Sequence, residues 1–159
     1  MTTSEATSGT PGGASAVLQV PPAGPAEATA HFGALLAHET DCADVHQALA
    51  DGSGDFVLLD VRSPEAYAAG HVPGADNLPH RQLDEATLAP YPTGTAFVVY
   101  CAGPHCNGAD KAALRLAQLG RPVKKMIGGV TGWLDEGLAL TPATTAPATP
   151  TPTRAQGAP

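Results

Sequence analysis

The chain has 159 residues, 43% hydrophobic, 4% aromatic and 14% charged, with 18 Gly and 16 Pro, enough for one domain. Nine of the 16 Pro fall in residues 1–30 and 142–159, so those ends read as disordered tails and residues 31–141 as the segment able to bury a core. The net charge of −7 argues against general nucleic-acid binding, and no apolar run approaches the roughly 18 residues of a membrane helix.

No Lys or Arg precedes Arg62, so the basic start of a secretory leader is missing. Three Cys (42, 101 and 106) are too few, and odd in number, for a disulfide scaffold. Both features set the expectation of a reducing cytoplasm, where a thiol persists as a nucleophile. The charge is unevenly spread. Residues 1–61 hold eight acids and no Lys or Arg, whereas residues 101–125 hold Lys111, Arg115, Arg121, Lys124 and Lys125 against Asp110 alone. A solvated helix face and a site for a small anion both fit this basic segment.

Asp41 is placed to cap a helix through Val45, Ala48 and Leu49 that stops near Gly52, with Asp44 as its capping-box partner. Phe56 to Val61 is a continuous apolar run of the length of a strand buried on both faces. Ser63-Pro64-Glu65 supplies an N-cap, a first-turn proline and an early carboxylate, so a short helix holds Ala66 to Ala69 and ends at Gly70. A short strand at 76–78, a helix at 84–88, a buried strand at 96–100, a helix at 109–119 and a strand at 123–127 follow. Trp133 sits in a last short helix ending near Gly137. Apolar strands separated by helices predict an α/β fold, a parallel sheet with helices on both faces. In such sheets ligands gather beyond the carboxyl ends of the strands.

Cys101 lies at such an end, between the strand at 96–100 and a helix starting near Ala109. A thiol of ordinary pKa, about 8.5, is only a few per cent ionised at neutral pH. Loop amides converging on the sulfur, together with the dipole of the following helix, favour the thiolate and can also hold an anion bound to it. The candidate loop is Ala102, Gly103, Pro104, His105, Cys106, Asn107, Gly108 and Ala109. Gly103 and Gly108 are expected to supply positive φ and close backbone approach, and Pro104 to stiffen the loop while removing one amide. Taken alone, the spacing fits equally a buried strand-end Cys that only packs.

Asp60-Val61-Arg62, the Glu65 to Tyr67 helix, Gly70-His71-Val72-Pro73-Gly74-Ala75 and Asn77-Leu78-Pro79 together resemble the first hallmark of the rhodanese homology domain. A second match follows, in which a strand, Cys101, a loop and a helix lead to Leu119-Gly120, then to Gly128-Gly129 and Trp133. The loop is similar to that of the subgroup reading Tyr-Cys-x-Gly-Pro-x-Cys-Asn-x-Ala. The resemblance covers about residues 36–140, in order. It implies a five-stranded parallel sheet, a sulfurtransferase with Cys101 as nucleophile, and no metal or organic cofactor. The implied partners are a small anionic sulfur donor such as thiosulfate and a cyanide or thiol acceptor, including a possible protein acceptor, with neither nucleic acid nor membrane. Asp60, Arg62, His71 and Trp133 are then structural supports, and Lys111 and Arg115 are candidates for anion steering.

The loop runs longer than in simple single-domain members of that family. Phosphatases with a related loop carry Arg at the sixth position after the Cys, but here that position is Asn107, so the bidentate clamp for a tetrahedral dianion is missing. A metal site from Cys101, His105 and Cys106 is disfavoured because the adjacent His105 and Cys106 point apart in most backbone conformations. Cys106 is either a resolving thiol for Cys101 or a packing residue at the end of the loop. Cys42 is expected to be a plain core or partly exposed thiol. Two functions stay open: persulfide transfer through Cys101, and a non-catalytic module that binds partners or senses oxidants through Cys101 and Cys106.

Overall fold

A computed structural model describes residues 15–142. A short 3-10 turn at Ala16–Leu18 precedes helix α1 (Pro25–His38), whose proline sits at the amino end where its missing N–H costs nothing. The chain parts into two units between Gly33 and Ala34, inside α1. Residues 25–30 are therefore helical rather than part of a tail, a correction to the reading of residues 1–30. Residues 15–24 of that reading hold only the 3-10 turn, and residues 1–14 and 143–159 lie outside the described residues.

The second unit holds a five-stranded parallel sheet. Its strands are β1 (Glu39–Thr40), β2 (Phe56–Asp60), β3 (Asp76–Asn77), β4 (Ala96–Tyr100) and β5 (Val123–Met126), in the order β1-β5-β4-β2-β3. β4 pairs with β2 from Phe56↔Ala96 to Asp60↔Tyr100 and with β5 from Phe97↔Val123, so β4 lies at the sheet centre. The continuous apolar runs of β2 and β4 divide by parity. Leu59, Val61, Phe97 and Val99 pack with Ala112 and Leu116 of α5 (Gly108–Gln118) and Leu88 of α4 (Glu85–Leu88). Leu58, Val98 and Tyr100 pack instead with Cys42 and Val45 of α2 (Cys42–Ala50) and Trp133 of α6 (Gly129–Asp135). Both sheet faces are thus covered, and no polar alternation is needed in the strands.

The caps form where the sequence places them. Asp41 accepts the Asp44 N–H at 2.8 Å, and Ser63 accepts the Ala66 N–H at 3.3 Å ahead of α3 (Pro64–Ala69). The reciprocal box is found at Asp84 and Thr87, where each side chain bonds the other's backbone N–H, at 2.8 and 3.0 Å, rather than at Asp41 and Asp44. Bonds from Thr87, its backbone N–H first and then its side chain, hold the Asp84 carboxyl below its usual range. β1 is the strand the sequence pattern did not reveal. No helix among the described residues is long and apolar enough to cross a membrane.

Candidate active site around Cys101

The central strand β4 delivers Cys101, 7% exposed, to the carboxyl edge of the sheet. The backbone of Cys101 and Ala102 is pinned from one side. The Cys101 carbonyl accepts the Val130 N–H at 3.0 Å, and the Ala102 carbonyl accepts the Thr131 N–H at 2.9 Å and its hydroxyl at 3.1 Å. These donors belong to the first turn of α6, which approaches closely only because Gly129 has φ +57° and no Cβ; a Cβ there would overlap the Cys101 carbonyl oxygen. The Gly128-Gly129 pair thus docks α6 against the Cys101 loop.

Gly103 and Gly108 provide the close approach expected of them, but not the positive φ. A Cβ on Gly103 would stand 2.6 Å from Thr131 Oγ1, and one on Gly108 would stand 2.8 Å from Cys101 Sγ and 3.4 Å from Cys106 Sγ. They supply room and not backbone handedness.

With its carbonyls engaged, the loop keeps its amides free. The Cys106 N–H closes a turn on the Gly103 carbonyl at 3.0 Å. Among the described residues, the N–H groups of Ala102, Gly103, His105, Asn107, Gly108 and Ala109 donate to no protein acceptor. Asn107 caps α5 by position only, its side chain making no bond to the helix. The sulfur of Cys101 therefore lies against the uncapped amino terminus of an eleven-residue helix, which favours an anion on that sulfur. The sulfurs of Cys101 and Cys106 are in direct contact as a disulfide pair, with Cα atoms 6.4 Å apart, inside the span such a pair needs.

A cleft of about 210 Å³ opens beside the two cysteines. Gly103, Pro104 and Ala109 of the expected loop line it; Ala102, His105, Asn107 and Gly108 do not, although Gly108 backs the sulfur. Lys111 and Arg115 are not in the lining, and Arg115 Nε donates to the Leu83 carbonyl at 3.0 Å. The cation that does line it is Lys125, at the end of β5 beside β4. Its ammonium bonds Asp110 at 2.9 Å and Glu39 at 3.0 Å, and these carboxylates hold its pKa above the ordinary lysine value. Asp110, Lys125 and the Met126 to Gly129 turn were absent from the sequence-based site. Asp110 comes with the first turn of α5, and the pairing of β5 with β4 brings in Lys125 and the turn after it.

The four supporting residues lie outside this lining. Asp60 is fully buried and accepts from the Arg62 backbone N–H at 3.0 Å, Nε at 3.0 Å and Nη2 at 2.6 Å, and Nη2 also reaches the Gly70 carbonyl at 2.7 Å. Burial lowers the Arg62 pKa, but the bonds and charge of Asp60 outweigh it and the net shift is upward. His71 stacks on Tyr67 at 3.7 Å between ring centroids, with Nδ1 3.1 Å from the Tyr67 carbonyl. Trp133 Nε1 donates to the Ala139 carbonyl at 3.0 Å. Cys42 is chemically unlike Cys101: burial first, then Glu136 and Asp41, push its thiol up to about 11, and it donates to the Ile127 carbonyl at 3.4 Å.

Residues 41–136 match the profile of the rhodanese-like domain. The chain is 38% identical over 88 residues to the HTH-type transcriptional regulator Rv0324 of Mycobacterium tuberculosis, covering 55% of this chain and 38% of that protein. It is 30% identical over 105 residues to a sulfurtransferase of Allochromatium vinosum, covering 66% of this chain and 95% of that protein. The crystal structure of the BH2092 protein from Bacillus halodurans superposes with a TM-score of 0.73 at 38% identity, over 75% of this chain and 87% of that one. The profile match over residues 41–136 and the five-stranded parallel sheet agree, and the chain belongs to the rhodanese-like domain family.

Proposed function

We propose that this protein is a sulfurtransferase that carries sulfane sulfur as a persulfide on Cys101. The Cys101 thiolate attacks the outer sulfur of thiosulfate, the sulfur–sulfur bond of the donor breaks, and sulfite leaves. Cyanide or a thiolate then attacks the outer sulfur of the persulfide and Cys101 departs as the thiolate, giving two steps with ping-pong kinetics. One observation carries the reading: the Cys101 sulfur lies against the uncapped amino terminus of α5, beside loop amides that have no protein acceptor. Such donors stabilise both the attacking thiolate and the persulfide anion. Membership of the rhodanese-like family and similarity to a sulfurtransferase support the same class of reaction.

The test is steady-state turnover of thiosulfate and cyanide to thiocyanate, with a dithiol present to keep Cys101 and Cys106 reduced. The expected result is parallel double-reciprocal lines for the wild type and no turnover for Cys101→Ser. Turnover that survives Cys101→Ser overturns the assignment. A chain that binds partners without turning over any sulfur donor is the competing reading.

A further inference from the structure

Cys106 occupies a place that a residue serving only to pack does not require. Its sulfur touches that of Cys101, both line the same cleft, and Cys106 is half-buried while Cys101 is nearly closed off. The room for the two sulfurs is made by Gly108, since a Cβ there would stand 2.8 Å from one and 3.4 Å from the other. The backbone holds the pair together from both ends. Cys101 is fixed by the Val130 N–H, and Cys106 by the turn to Gly103 that leads into α5. The two sulfurs therefore meet with both backbone ends already in place.

From this geometry we infer that Cys106 is a second catalytic thiol, which discharges the Cys101 persulfide as hydrosulfide and makes a dithiol reductant the final acceptor. The inference rests on the proposed Cys101 persulfide. In the step, the Cys106 thiolate attacks Sγ of Cys101, the inner sulfur of the persulfide, because that is the atom it touches. The bond between Sγ and the outer sulfur breaks, the outer sulfur takes up the proton that the Cys106 thiol gave up and leaves as hydrosulfide, and the Cys101–Cys106 disulfide forms. A dithiol then reopens that disulfide by thiol–disulfide exchange: both cysteines are reduced, and the dithiol is oxidised to its own disulfide. One donor sulfur is released as sulfide for each dithiol consumed. Attack at the outer sulfur would only move the persulfide to Cys106 and release nothing.

The experiment uses the full chain, reduced with dithiothreitol, desalted, and then mixed with thiosulfate in the absence of cyanide and thiol. Sulfide is measured, and the protein is examined by intact mass and by mapping of the peptide that holds residues 101–106. The wild type is expected to release about one equivalent of sulfide per chain and to end about 2 Da lighter than the reduced protein, cross-linked between Cys101 and Cys106. Cys106→Ser is expected to stay about 32 Da heavier, with the extra sulfur on Cys101, and to release none. The wild-type measurement decides by itself if the variant folds poorly. A wild type that holds the extra sulfur on Cys101 without releasing sulfide overturns this inference and leaves the persulfide reading standing. A chain on which Cys101 takes up no sulfur, with or without Cys106, overturns both.

Discussion

Replacing Gly108 by alanine sets helix propensity against the space beside the Cys101 sulfur. Gly108 opens α5 with φ outside the positive region, so alanine fits the backbone, and within a helix the exchange is worth roughly 0.5–1 kcal/mol in its favour. The added Cβ would, however, stand 2.8 Å from Cys101 Sγ. Ordinary contact lies near 3.5–4.0 Å, so the sulfur must retreat by about 1 Å. The backbone gives little, because the Cys101 and Ala102 carbonyls are held by Val130 and Thr131. Overpacking costs roughly 1–3 kcal/mol, which exceeds the helix gain and leaves a net loss of about 1 kcal/mol, or about 5 °C in Tm for a domain of this size. A misplacement of about 1 Å at a reacting atom costs on the order of 100-fold in rate. Gly108→Ala is therefore expected to melt only slightly early in calorimetry and to lose about 100-fold in kcat/KM for thiosulfate and cyanide. Gly54→Ala, with nothing within 4 Å of the added Cβ, is the control and should change neither. A Gly108→Ala protein with the wild-type rate would refute the placement of the sulfur against the helix.

Arg62→Ala leaves the fully buried Asp60 carboxylate without its bidentate partner and is expected to cost about 3–5 kcal/mol in urea unfolding, so a loss below about 1 kcal/mol contradicts the buried pair. Burial first, then Glu136 and Asp41, raise the Cys42 thiol from its ordinary value in the unfolded chain to about 11 in the fold. Above pH 9 the unfolded chain sheds a proton that the folded chain keeps, so this thiol lowers stability progressively between about pH 9 and 11, by about 3 kcal/mol in all. Its direct check is iodoacetamide labelling of the folded protein at pH 9, where Cys42 should stay unlabelled; labelling at the rate of a free thiol contradicts it. Tyr100→Phe removes the hydroxyl that accepts the buried Val72 N–H at 3.0 Å and should cost about 1–3 kcal/mol by thermal unfolding, an unchanged Tm being the contrary result.

Much of the fold was legible because the relevant signals are local. The runs 56–60 and 96–100 carry no polar alternation since both sheet faces are covered, and Asp41 and Ser63 cap the helices that follow them. β1 was not legible: two residues carry no period, and its partner β5 lies more than eighty positions away in the chain. α1 has no buried residue, and its Ala-rich start at residues 25–30 resembles a tail by composition. Within the site, Cys101 was singled out by the resemblance of the segments around it to the rhodanese domain, since its place at a strand end fits a packing Cys equally well. The lining by Lys125 and the turn after it depends on β5 pairing with β4, and the basic residues nearest in sequence, Lys111 and Arg115, lie outside the cleft. Gly103 and Gly108 read as turn residues because sequence shows only that a side chain is missing, not whether the backbone or a neighbouring atom needs its absence.

The measurement closest to the central claim is the mass of the reduced protein after thiosulfate treatment, followed by cyanide. With Cys106→Ser, which retains the adduct, the account predicts a gain of about 32 Da that maps to Cys101 and is removed by cyanide as thiocyanate. A chain that gains no sulfur, or that carries it on Cys42 while Cys101 stays unmodified, contradicts it.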